Sequence, residues 1–180
     1  ALTYGTTMRL VQPFPDAYYY GEALVLNGGQ QLMVEDYMAW DVGTGHYDHY
    51  LDYLQTLLEV RRNAHDYLTM GEWLPPADMD VQNVDIQWSD THPAKAGVPA
   101  VITSTWRLDQ SLCLILINHT ASPQEVAYSL SLRECGLPAD NNQLYRLDGQ
   151  DESAVSQIEH GALNRRETIP ARSAVVYVVH

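Results

Sequence analysis

The chain has 180 residues, 46% of them apolar or aromatic, and a formal net charge of −13 from 23 acidic and 10 basic residues. That apolar share supports a buried core and excludes a wholly disordered chain. The acidic balance argues against nucleic acid and anionic membrane surfaces, which need clustered Lys and Arg, and leaves proteins and neutral ligands as partners.

In chain order, residues 2–15 are mixed, and Pro13-Phe14-Pro15 closes them as an extended turn. Asp16 is placed to cap a helix over 17–26 that Gly28-Gly29 stops. Residues 31–37 read as a short strand, since Leu32, Met33 and Val34 form a brief apolar run that turns acidic. The stretch 40–45, with Gly43 and Gly45, is a loop. A strong helix follows: Tyr47, Tyr50, Leu51, Leu54, Leu57, Leu58 and Ala64 recur at three and four on one face. Asp48, Asp52, Gln55, Glu59 and Arg62 lie on the other, and Gly71 is the terminator. A helix with such a stripe seats against something larger than a loop. The expected partners are the first helix, the short strand and a part of the protein outside this chain.

Pro75-Pro76, the acids around Asp78 and Asp80, and the stretch 90–93 mark 74–97 as a connecting region with a strand near 84–88. Beyond Pro99 the pattern is that of strands. Segments 100–107 and 111–118 flank the turn Leu108-Asp109-Gln110 as a hairpin. Residues 125–132 alternate apolar and polar, 143–147 and 166–169 are shorter candidates, and 171–179 is a valine-rich last strand. The runs 112–117 and 174–179 are almost wholly apolar and read as central strands. The fold class expected is α+β: a helical part over 1–73, the connector 74–97, and an antiparallel β-sandwich over 98–180.

Cys113 and Cys135 are the only cysteines. Without a CxxC spacing they form neither a zinc site nor a disulfide scaffold. Two free thiols are the plainer reading, and one disulfide stays open. No apolar run approaches the ~20 residues that span a bilayer. The opening Ala1-Leu2-Thr3 shows no leader pattern and reads as a start in mid-pattern. The compartment is left open.

The stretch Leu54-Gln55-Thr56-Leu57-Leu58-Glu59-Val60-Arg61-Arg62, continuing to Tyr67-Leu68 and Gly71, resembles the last barrel helix of many glycoside hydrolases, where an LxxLLxxR…YLxxG pattern leads out of a (β/α)8 barrel into a C-terminal sandwich. Leu114-Ile115-Leu116-Ile117-Asn118 looks like the early strand of that sandwich, and Ile169-Pro170-Ala171-Arg172-Ser173-Ala174-Val175-Val176 is similar to its closing strand. The resemblance implies that 17–29 holds the penultimate barrel helix and 31–37 the eighth strand. It also implies that the acid and nucleophile carboxylates, which sit on middle strands, lie upstream of Ala1 or in another chain. Catalytic residues are therefore not assigned here, and the implied partner is the upstream barrel portion or another copy of the chain, meeting Tyr47, Leu51, Leu54 and Leu58.

The substrate-binding candidates are Glu35, Asp36, Trp40 and Asp41, with a carbohydrate as the ligand. Glu35 and Asp36 close the presumed eighth strand, the end where barrel enzymes carry their functional loops. As strand neighbours they point to opposite faces, so they cannot both line one pocket. Trp40 and Asp41 suit a sugar's C–H face and hydroxyls, and Trp40 equally suits packing at the helix entrance. His46, Asp48, His49 and Asp52 fall at helical spacing, but acids at a helix start answer the dipole and no HExxH is present, so no metal site is assigned. No GxSxG, GxGxxG or GxxxxGK[ST] occurs, and no cofactor is implied. The rival reading is a freestanding carbohydrate- or protein-binding module without catalytic activity.

Overall fold

The chain from Asp16 turns directly into α1 (Asp16–Asn27), its first acidic residue set against the positive end of the helix dipole. The computed structural model describes residues 16–30, 48–89, 92–148 and 151–180. Gly29, with φ 70°, closes α1 in the left-handed conformation that favours glycine. Its N–H donates to Leu26 O at 2.9 Å and the N–H of Gln30 donates to Val25 O at 3.0 Å, which satisfies the last carbonyls. A Cβ on Gly29 would also stand 2.9 Å from the Trp106 ring. The expected strand 31–37 and loop 40–45 lie outside the described residues.

The long amphipathic run forms two helices, α2 (Asp48–Asn63) and α3 (His65–Met70), which meet at Ala64. Its buried face differs from the stripe read in the sequence. Tyr50, Tyr53, Leu54, Leu57 and Val60 are buried, and Leu58 is 49% exposed. The buried set centres on Leu57, and Leu58 stands about 100° around the helix from it. The first helix covers this face, as expected. Tyr50, Tyr53, Leu54, Leu57 and Val60 share a core with Tyr18, Tyr19, Ala23 and Leu26 of α1 and with Ile102, Trp106, Cys113, Ile115, Ile117 and Val176 of the strands. The chain's own sheet covers this face as well.

Among the described residues eleven strands follow: β1 (Glu72–Leu74), β2 (Asp78–Asp80), β3 (Asn83–Ser89), β4 (His92–Pro99), β5 (Val101–Leu108), β6 (Ser111–Asn118), β7 (Gln124–Ser131), β8 (Asn142–Asp148), β9 (Asp151–Ile158), β10 (Ala162–Ile169) and β11 (Ser173–Val179). They form a six-stranded sheet ordered β1-β5-β6-β11-β8-β9, a three-stranded sheet β10-β7-β2 and the hairpin β3-β4, with every pairing antiparallel. The architecture is α+β, with an antiparallel sandwich after the helices. The region 74–97 carries structure of its own: β2 is an edge of the three-stranded sheet, and β1, ending at Leu74, is an edge of the six-stranded one.

The central pair explains the unbroken apolar runs. β6 and β11 lie inside the six-stranded sheet, and both its faces are covered. Cys113, Ile115 and Ile117 point into the core beneath the helices. Leu112, Leu114 and Leu116 point into a second core shared with Val126, Tyr128 and Leu130 of the other sheet. A strand buried on two faces has no polar positions to alternate with. Asn118 ends β6 fully buried: its Nδ2 donates to Ser122 O, Ile169 O and Pro170 O at 2.9, 3.1 and 2.8 Å, and its Oδ1 accepts from Thr120 N at 2.9 Å. It ties the turn after β6 to the step from β10 into β11. Cys113 and Cys135 are free, buried thiols, and burial raises the pKa of both.

Candidate functional site

The four candidates Glu35, Asp36, Trp40 and Asp41, together with His46 and Tyr47, lie outside the described residues, between Gln30 and Asp48. What the structure defines is the frame at either end of that segment. Tyr53 OH donates to Tyr19 O at 3.0 Å and Tyr50 OH to Glu22 Oε1 at 2.8 Å, so the first half of α2 lies beside the first half of α1. Further along, Arg61 Nη1 donates to Gly29 O at 3.0 Å and Gln30 O at 2.9 Å, which places the end of α1 beside the last turns of α2. The two helices therefore run parallel.

Within this frame sits an aromatic and ionisable cluster that the sequence did not single out. The Tyr19 ring meets Tyr50 edge-on at 5.6 Å and Tyr53 at 5.3 Å, with the Arg172 guanidinium 4.0 Å from its centroid. Burial raises Glu22 above the usual carboxylate range, against a smaller lowering from the Tyr50 hydrogen bond. Burial first, and then the Glu22 charge, push Tyr50 and Tyr53 far above the ordinary tyrosine value. His119, 1% exposed, has its pKa lowered by burial. Its Nε2–H donates to Pro99 O at 2.8 Å, and Tyr20 packs on the ring at 5.0 Å. Glu22 pairs with Tyr50 across 28 positions.

A second carboxylate stands between the sheets. Glu167 Oε1 accepts from Tyr128 OH and Oε2 from Tyr177 OH, each at 2.6 Å, and Arg165 Nε lies 3.8 Å away. Glu22 and Glu167 occupy different cores, and each is held by tyrosine hydroxyls. They do not make the ~5 Å carboxyl pair of a retaining glycosidase. Asp48, His49 and Asp52 are exposed on α2, and among the described residues no group of His, Cys, Asp and Glu is arranged to hold a metal. A shallow groove of about 360 Å³ runs between α2–α3 and β8–β9, lined by Arg62, His65, Asp66, Tyr67 and Glu152. Along it His65 Nδ1 lies 3.1 Å from Asp66 Oδ1, and His180 Nε2 lies 3.3 Å from Glu152 Oε1.

Comparison with solved structures bears on the fold. The chain is similar to the noncanonic maltogenic α-amylase AmyB of Thermotoga neapolitana, at TM-score 0.51 and 12% identity, over 91% of this chain and 36% of that one. Two further structures are more distant. The β-L-arabinopyranosidase of family GH27 from Geobacillus stearothermophilus gives TM-score 0.41 at 13% identity, over 98% of this chain and 33% of that one. The α-amylase of Geobacillus thermoleovorans gives 0.38 at 16% identity, over 72% and 22%. These neighbours are glycoside hydrolases, and this chain spans about a third of the amylase AmyB. No family model matches, and no curated protein matches.

Proposed function

We propose that this chain is the C-terminal region of a glycoside-hydrolase-like protein, in which α1 and α2 complete a (β/α)8 barrel and the sandwich is an accessory domain packed on it. The observation that carries the reading is the parallel run of α1 and α2 against an antiparallel sheet. Consecutive parallel helices need a connection that brings the chain back along their length, as in a β/α repeat. α1 has 12 residues, about 18 Å at ~1.5 Å per residue. Residues 31–37, as a strand at ~3.3 Å per residue, would cover that distance. On this reading 31–37 is the eighth strand, and Glu35, Asp36, Trp40 and Asp41 stand at the end where barrels bind substrate. One of the two carboxylates and the Trp40 ring contact a sugar, while the acid and nucleophile come from the upstream barrel portion or another chain. The separate, tyrosine-bound positions of Glu22 and Glu167 support that division of labour.

One observation favours the rival, a freestanding carbohydrate- or protein-binding module: the apolar stripe of α2 is covered by this chain's own sheet. Native mass spectrometry of the protein from its source separates the two. The proposal requires these residues within a longer polypeptide or a complex with a barrel-bearing chain. A stable, soluble monomer of 20.3 kDa contradicts it and supports the binding module.

A further inference from the structure

We draw no further inference here: the strongest candidate, the exposed face of Trp73 beside Met70 at the edge strand β1, is an apolar patch and nothing in the structure shows what covers it.

Discussion

Leu57 and Leu58 are adjacent, chemically identical, and both belong to the apolar stripe read in the sequence, yet Leu57 is fully buried and Leu58 is 49% exposed. Truncating Leu57 to alanine removes side-chain atoms from the core shared by α1, α2 and the six-stranded sheet. The lost transfer energy and the residual cavity together cost about 3 kcal/mol, within the range of roughly 2–5 for a buried leucine. For a chain of this size, that lowers Tm by roughly 6–12 °C. Leu58→Ala vacates no enclosed space and costs less than about 1 kcal/mol. Urea unfolding followed by far-ultraviolet circular dichroism, at matched m values, measures both. Equal costs, or a larger cost at Leu58, would refute the packing of α2 on this sheet. A Leu58 cost that rises only in a longer protein or a complex would indicate that a further body covers that side of α2.

Other expectations follow from the same contacts. Glu22→Gln stabilises the chain at pH 7: burial raises the carboxyl's folded pKa, so its stabilising, protonated state is fully present below the ordinary glutamate value and is lost as pH rises through the folded one. The difference between variant and parent in denaturant unfolding should shrink toward zero as pH falls. A variant less stable than the parent at pH 7 contradicts the burial account and would make the Tyr50 hydrogen bond the larger effect. Tyr128→Phe and Tyr177→Phe each remove a hydrogen bond to a charged acceptor and should cost about 1.5–3 kcal/mol in chemical denaturation. A Tyr177→Phe cost below about 0.5 kcal/mol would mean that Glu167 does not bridge the sheets. Asn118→Ala removes three hydrogen bonds, one of them to the buried Ile169 carbonyl, and should cost about 1–3 kcal/mol, read as a drop in Tm. An unchanged Tm denies the tie between the turn after β6 and the start of β11.

Local signals carried much of the fold. The hairpin β5–β6 and the central position of β6 and β11 were legible because burial on both faces leaves an unbroken apolar run. The end of α1 was legible because Gly28-Gly29 supplies the left-handed closure. Strand β9 escaped notice for the opposite reason. It is an edge strand whose residues from Asp151 to Gln157 are all exposed, so no hydrophobic alternation marks it. β1 and β2 are three residues each, too short for a period, and they pair with partners far along the chain. The sheet's share in covering α2 was not legible because an apolar stripe does not tell what packs on it. The Glu22–Tyr50 contact was invisible for a related reason: a hydrogen bond across 28 positions leaves no local pattern.

Hydrolysis of a panel of aryl glycosides and α- and β-linked polysaccharides tests the central claim most directly, run in parallel on the native assembly and on the purified chain alone. The account predicts turnover by the assembly, none by the isolated chain, and a weakened KM for the assembly carrying Trp40→Ala. Turnover by the chain alone would contradict it, because the acid and nucleophile would then have to be among these residues. An assembly inert toward every glycoside would equally deny the glycoside-hydrolase-like reading.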